Sequence, residues 1–462
     1  MNKHKLNLLL VGTLALLGNV PAAVRAEKPP NFVIILADDL GYGDLGCYGH
    51  PSIRTPNLDR MAGEGMRFTD FYVAACVCTP SRAALLTGRL PIRSGMSGDL
   101  QHRVQTRNSP GGLPPEEITI ARALQTKGYA TQCIGKWHLG HYPQNLPASH
   151  GFDAFYGLRW SNDMEPARGI PKDASRSLNP KPEWWNCALM RDDQILEQPA
   201  DLSTLTRRYT EEALRFIRQN KRKPLFLYFA HTYPHIPLFA SKDFQKTSAR
   251  GLYGDVVEEL DWSVGQVLAT LRQQGLADHT LVFFTSDNGP WVVKDLAGGS
   301  AGPLRDGKGS TWEGGMREPG IAWWPGKIKA GAVNHEMACT MDFFNTFLTL
   351  AKVPIPADRI IDGVDMSPML LGKGSSQRNL MIYYNGDELY AVRKGPYKAH
   401  FTTYSGYSKE PPQKHDPPLL FHLPNDPGER FDVAAEHPEV IADIQGEVEK
   451  YRAALVPGKR QY

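Results

Sequence analysis

Four short apolar runs, each ending in charged or hydrogen-bonding residues, constrain this chain more than any other feature. Asn31–Ala37 (NFVIILA) stops at Asp38-Asp39, and Tyr129–Ile134 runs into Gly135-Lys136-Trp137-His138. Leu225–Ala230 (LFLYFA) is followed by His231 and His235, and Leu281–Thr285 (LVFFT) by Asp287-Asn288. Continuous apolar runs without polar alternation suit strands buried on both faces. Segments with a helical pattern lie between and after them: Asn57–Met66, Pro80–Thr87, Thr119–Lys127, Leu202–Asn220, Val256–Gln274 and Met341–Leu350. A further short strand is expected at Ile321–Trp324. Strands alternating with helices predict an α/β fold, a mostly parallel sheet sandwiched by helices. Ligands of such sheets gather beyond the carboxyl ends of the strands. One polar strand ending is commonplace, but four at one edge predict a single constructed site.

Near residue 375 the pattern changes. Strand-like Leu380–Tyr384, Leu389–Arg393 and Leu419–His422 are joined by turns such as Asn385-Gly386, and a helix is expected over Pro438–Leu455. This predicts a small antiparallel sheet plus helix. The expected organisation is therefore a main domain over 27–375 and an α+β subdomain over 376–462. Residues 159–200, rich in Pro, Trp and polar residues without a clear period, read as a long loop excursion.

Residues 1–26 read as an export signal: Lys3 and Lys5, the apolar Leu6–Leu17, then Val24-Arg25-Ala26 as a small-residue cleavage site. Removing it takes three of the 52 Lys+Arg and none of the 49 Asp+Glu, so the mature chain is balanced at 49 against 49. That balance excludes a polybasic nucleic-acid or membrane-surface protein, and no membrane anchor is expected after cleavage. It does not exclude an anionic substrate held by a few local cations. The six cysteines are too few to suggest a disulfide scaffold. No Asn-x-Ser/Thr site occurs, which favours a periplasmic or secreted bacterial protein.

Asp38, Asp39, Asp287 and Asn288 offer oxygen ligands from two strand ends. Such a set suits a hard cation, Ca²⁺ or Mg²⁺, better than zinc. Either acidic pair alone reads as a turn or cap; two pairs at buried strand ends favour a metal. Cys78-Thr79-Pro80-Ser81-Arg82 leads into AALLTGR. It places Cys78 just before a helix N-terminus, where backbone N–H groups favour an anion. Arg82, one turn on, returns its guanidinium to the same end. The plainer reading of Cys78 is a buried, inert cysteine.

Cys-x-Pro-Ser-Arg followed by Ala-Ala-Leu-Leu-Thr-Gly-Arg resembles the signature of the sulfatase family. GKWHLG at 135–140 and GKGSTWEGGMREP at 307–319 look like two further blocks of that family. GYGDLGCYG, TPNLDRMAGEGMRF and FHLPNDPGER are similar to its N-acetylgalactosamine-6-sulfatase and arylsulfatase A branch. The resemblance covers roughly residues 29–435 and implies an alkaline-phosphatase-like fold. It further implies that Cys78 is oxidised to formylglycine (3-oxoalanine) by a formylglycine-generating maturation enzyme. Cys76 does not qualify, because the residue two places on is Cys78 rather than Pro. By position, Asp38, Asp39, Asp287, Asn288 and the modified Cys78 match the family's Ca²⁺ ligands. Arg82, Lys136, His138, His235 and Lys308 match its catalytic and sulfate-binding residues. His235 is preferred over His231 because His235-Ile236-Pro237 fits the family's His-x-Pro pattern.

These residue types suit a sulfate ester, whose oxygens repel a nucleophile until cations offset their charge. The resemblance implies that His138 assists proton movement at the hydrated aldehyde and that His235 protonates the leaving oxygen. The expected activity is removal of sulfate from a sulfated carbohydrate, with 6-O-sulfated galactose or N-acetylgalactosamine as the favoured substrate. The alternatives are a broad arylsulfatase, a related phosphoester hydrolase and a non-catalytic binder of sulfated glycans. Two departures from the resemblance stand out. The sequence stops at Tyr462, without the cysteine-containing tail of animal relatives, and 159–200 shows no match. Trp160, Trp184 and Trp185 read equally well as sugar-stacking rings or as packing within that loop.

Overall fold

The computed structural model of the chain describes residues 28–171 and 173–462. The expected signal segment 1–26 lies outside the described residues. Five strands form a parallel centre in the order β8 (Thr280–Ser286), β1 (Asn31–Ala37), β7 (Leu225–Ala230), β3 (Ala130–Lys136) and β4 (Ala154–Leu158). On one side antiparallel β9 (Arg317–Trp323) follows β8, and β2 (Met66–Tyr72) pairs with β9. The short β10 (Ala332–Asn334) and β11 (Ala338–Cys339) line up along β2. On the other side the hairpin β5 (Leu189–Arg191) and β6 (Gln194–Glu197) extends the sheet past β4.

Strand β1 shows why the apolar runs do not alternate. Val33, Ile35 and Ala37 face one core, packed with the helices Leu205–Gln219 and Leu252–Gln273. Phe32, Ile34 and Leu36 face the other, against the helices Cys78–Thr87 and Asp342–Ala351. With period 2 and both faces covered, every position must be apolar. Register then aligns the strand ends: Ala37 lies beside Ser286, and Leu36 and Gly135 both pair with Ala230. The residues that follow these ends share one edge.

From β12 (Leu380–Asn385) on, a four-stranded antiparallel sheet continues through β13 (Glu388–Lys394), β14 (Tyr397–Thr403) and β15 (Gln413–His422). The helix Pro438–Ala454 covers it through Ile441, Ile444 and Val448. Those residues share a core with Tyr72, Val73, Cys76 and Val77 of the larger sheet's flank. A buried polar node ties the two parts together. The Lys398 ammonium donates to the Thr311 carbonyl (2.7 Å) and pairs with Glu313 (2.9 Å) and Glu429 (3.0 Å). The small sheet thereby grips the loop that carries Lys308.

Several local expectations are corrected. The helix expected from Pro80 begins at Cys78, so the cysteine is its first residue rather than lying before it. The helix expected over Asn57–Met66 ends at Glu64, where Gly65 leaves helical geometry (φ −131°, ψ −137°) and passes so close to the Ala322 carbonyl oxygen that a Cβ would stand 2.1 Å from it. Met66 instead opens β2, whose mixed sequence MRFTDFY carries no apolar run to announce it. The long helix starts at Leu252, four residues before Val256. The 159–200 segment is not wholly loop, since it contains β5 and β6; strands of three and four residues are too short to show a period.

Candidate active site

Each strand ending delivers a side chain to the shared carboxyl edge. Beyond β1 come Asp38 and Asp39, and beyond β8 come Asp287 and Asn288. Lys136 closes β3, and His138 follows two residues on. A Cβ on Gly135 would meet the Ala230 carbonyl oxygen at 1.7 Å, and its φ is +99°, so only glycine lets β3 approach β7 here. Asp39 and His138 both hold left-handed φ values, 64° and 61°. Non-glycine residues store strain there, which is common at functional sites.

Three buried carboxylates face three buried cations. Lys136 Nζ donates to Asp38 Oδ2 at 2.6 Å, Lys308 Nζ to Asp39 at 2.8 Å, and Arg82 Nε to Asp287 Oδ2 at 2.8 Å. Arg82 also donates to the Lys136 carbonyl (2.7 Å) and lies 3.6 Å from Asp38. It thus braces the carboxylates through all of these contacts. Burial alone would raise the Asp38 carboxyl, but Lys136, His235, Arg82 and Lys308 hold it well below the usual range. Asp287 goes the other way: burial, reinforced by the Asp38 charge, pushes it up to about 7.

The Cys78 thiol, at the first residue of its helix, is almost entirely buried. Burial pushes it up to about 11 despite the nearby Lys136 and Lys308. His138 donates Nε2–H to the Gln105 carbonyl (2.8 Å), leaving Nδ1 without a partner. His235 directs Nδ1–H to the Ile236 carbonyl (2.5 Å), so Nε2, 3.6 Å from Asp39, is the nitrogen free to exchange a proton. Burial, then Lys308, holds the His235 imidazole well below its usual range. His231 stands elsewhere, its ring tilted by 40° against Phe229 (4.2 Å between centroids) and 3.4 Å from the Ser263 hydroxyl.

The residues fit a divalent cation. Ligand atoms of Asp38, Asp39, Cys78 and His235 all lie within 4.8 Å of one another. The buried oxygens Asp38 Oδ1 and Asn288 Oδ1 have no hydrogen-bond partner, an expensive arrangement that a bound cation would relieve. Asn288 Nδ2 reaches Asp39 Oδ1 at 2.7 Å, and Asp39 N–H donates to Asp287 Oδ1 at 3.3 Å. All ten residues expected at the site from sequence therefore converge on one edge of the sheet.

Other neighbours had no motif to announce them. The Gln105 amide donates to the Gln461 carbonyl (2.7 Å), Gln461 N–H reaches Gly95 O (3.1 Å) and the Tyr462 hydroxyl donates to Met96 O (2.9 Å). The last residues of the sequence thus support the carbonyl that orients His138. Trp291 lies beside His235 and Lys308, with Tyr407 5.0 Å beyond it. Its position three residues past Asn288 was the one available signal. Trp160 and Trp185 are 3% and 2% exposed, so they serve as packing rather than as open sugar platforms.

A buried cysteine on a helix N-terminus, facing clustered carboxylates paired with lysines at the end of a parallel sheet, suits a hydrolase of anionic esters. Residues 30–353 match the family described as Sulfatase, and residues 376–462 match the C-terminal region of aryl-sulfatase. The chain belongs to the sulfatase family, and it is an enzyme of the hydrolase class. It is 42% identical to the N-acetylgalactosamine-6-sulfatase of Canis lupus familiaris, across 98% of this chain and 91% of that protein. It is 44% identical to the arylsulfatase A of Homo sapiens, across 93% and 89%. Among solved structures, Ps i-CgsB in complex with k-i-k-neocarrahexaose superposes with a TM-score of 0.79 at 30% identity, covering 94% of this chain and 95% of that one. A phosphonate monoester hydrolase of Agrobacterium radiobacter, at 18% identity and TM-score 0.60, shares the fold.

Proposed function

We propose that this sulfatase removes sulfate from a sulfated carbohydrate, with 6-O-sulfated galactose or N-acetylgalactosamine as the favoured substrate. The observation that carries the reading is the placement of Cys78 beside Lys136, Lys308 and His235 in one buried cluster. The identity to N-acetylgalactosamine-6-sulfatases supports the choice of sugar.

A Cys78 thiol raised to about 11 is protonated at neutral pH and is a weak nucleophile. Membership of the sulfatase family and the Cys-x-Pro-Ser-Arg motif at Cys78 support its conversion to formylglycine, whose hydrate supplies a hydroxyl nucleophile. The cation that suits Asp38, Asp39, Asp287, Asn288 and residue 78 is Ca²⁺, which would supply positive charge against the sulfate oxygens. Lys136 and Lys308 add fixed charge at the same place, where low dielectric strengthens it. His138 Nδ1, bare of partners, takes up a proton at residue 78. His235 Nε2 gives one to the departing oxygen. The free site keeps His235 neutral; an anionic ester bound against Lys308 adds the negative charge that restores its proton.

Export to the periplasm or beyond follows from the signal-like 1–26, and no helix among the described residues is long and apolar enough to cross a membrane. A maturation enzyme is then the required protein partner. The test is sulfate release from a panel of defined sulfated mono- and oligosaccharides, with phosphate esters as controls. Release from 6-O-sulfated galactose or N-acetylgalactosamine ahead of 2-, 3- and 4-sulfated sugars is expected. Faster cleavage of phosphate esters than of any sulfate ester would overturn the reading.

A further inference from the structure

Gln105 is fully buried and holds His138 from two sides. Its carbonyl accepts the His138 Nε2–H at 2.8 Å. Its own N–H donates to the Thr79 hydroxyl (3.1 Å), which donates in turn to the His138 carbonyl (3.1 Å). One neighbour thus fixes both the ring and the backbone of His138, whose φ of 61° a non-glycine residue keeps only where its surroundings impose it. A carbonyl can only accept, so the ring proton stays on Nε2 and Nδ1 keeps its lone pair. Gln105 is itself held by residues far along the chain. Its Nε2 donates to the Gln461 carbonyl (2.7 Å), while its Oε1 is buried without a partner, so this one bond anchors the amide. Gly458–Tyr462 run as a strap along Ile92–Met96. Gly458 N–H donates to Ile92 O (2.8 Å), Gln461 N–H to Gly95 O (3.1 Å) and the Tyr462 hydroxyl to Met96 O (2.9 Å). The seat is shaped to the strap. A Cβ on Gly95 would stand 1.8 Å from the Lys459 carbonyl oxygen, and one on Gly111 2.4 Å from Gln461 Oε1 and 2.9 Å from its carbonyl oxygen.

Resting on the proton role proposed for His138, we propose that Gln105 is a positioning residue for that histidine, and that the strap Gly458–Tyr462 keeps Gln105 in place. Without the strap the Gln105 amide loses its one anchor, its carbonyl is free to shift, and the imidazole turns its Nδ1 away from residue 78. A reacting group displaced by about 1 Å loses on the order of 10² in rate. Lys136 and Lys308 keep their own anchors on Asp38 and Asp39, so the cations that face the ester stay where they are. The strap therefore acts on the chemical step and leaves ester binding alone, and the site is complete only once these residues have docked.

The test uses mature full-length enzyme turning over 4-nitrophenyl sulfate, with three point variants. Gln105→Leu keeps the backbone carbonyl and removes the amide donor. Gln461→Pro removes the N–H that Gly95 accepts, and Gly111→Ala pushes on Gln461 from the far side. Each is expected to lower kcat by about 10–10²-fold with KM kept within about threefold. A chain ending at Pro457 should lose the same factor, and there Gly111→Ala should cost nothing further, because no strap remains to displace. Should that shortened chain fail to fold, the point variants carry the test. A second readout needs no turnover: the His138 Nε2–H, followed by NMR of ¹⁵N-histidine protein with Cys78 unmodified and assigned through His138→Gln. A hydrogen-bonded, slowly exchanging proton is expected in the parent protein and should be lost in Gln105→Leu and Gln461→Pro. Loss of that protection with kcat unchanged upholds Gln105 as the residue that positions His138 and overturns the proton role given to His138. Protection retained in every variant overturns the proposal whatever kcat does. A raised KM at unchanged kcat makes the strap a binding element and overturns it as well.

Discussion

Lys136 and Asp38 meet at 2.6 Å where neither side chain touches solvent. Breaking such a pair leaves a lone buried charge, which costs more than the pair itself contributes. Lys136→Met is therefore expected to lose about 3–5 kcal/mol of stability in metal-free protein, read by urea unfolding. It should also lose at least about 10²-fold in kcat. A stable, fully active variant would show that the ammonium is dispensable.

Cys78 is expected to lose its thiol in active protein co-expressed with a maturation enzyme, as seen by peptide mass spectrometry. Cys78→Ala should abolish turnover. Cys76, whose sulfur lies 3.8 Å from Asn385 Oδ1, should tolerate alanine with turnover kept within a few-fold. A fully active preparation holding only unmodified Cys78 contradicts the assignment.

Elemental analysis is expected to find one calcium per chain, and chelation to abolish activity that added Ca²⁺ restores. Asp287 and Asn288 add oxygens to those of Asp38 and Asp39, so that oxygen outnumbers the single histidine and the single cysteine close by, His235 and Cys78, a balance that suits calcium better than zinc. Stoichiometric zinc without calcium would refute it.

Removal of His235 should discriminate between leaving groups. An alkoxide departs poorly without a proton, whereas an activated phenoxide needs little help. His235→Ala is expected to slow a sugar sulfate by about 10²–10⁴-fold and a nitrophenyl sulfate far less. Equal losses would make His235 a binding group, and a selective loss in His231→Ala would transfer the role to that residue.

His231 makes a pH prediction about stability. Burial lowers it from 6.5 to about 3, so the unfolded chain takes up the proton first. The neutral, folded form is favoured above pH 6.5, and stability declines as pH falls from there toward 3. His231→Gln should therefore flatten the acid limb by about 3 kcal/mol between pH 6.5 and 4, measured by urea unfolding across that range.

The parts of this molecule that sequence made legible are those in which burial or chemistry leaves a pattern. Strands β1, β7 and β8 are covered on both faces and so read as uninterrupted apolar runs. The pattern alone puts the residues that close them at one edge. Strand β2, edged by a bulge against β9, mixes Arg67, Thr69 and Asp70 with aromatics and gave no such pattern. At the site, the charged residues stood in recognisable blocks. Trp291 and Gln105 did not, because one acts through its ring at a loop and the other through a backbone carbonyl that any residue possesses.

The burial of Cys78 also sets a clock. Its side chain is 2% exposed in the finished fold, too little for a macromolecular modifying enzyme to take it into an active site of its own. Residue 78 emerges during synthesis about 380 residues ahead of Gln461, an interval of roughly 20–80 s at ordinary elongation rates. An enzyme that oxidised that sulfur, as proposed above, would have to meet it as an open chain, before the small sheet docks. On the proposed maturation, a molecule that folds first would keep its thiol, and the yield of active enzyme would be decided by a race between modification and folding.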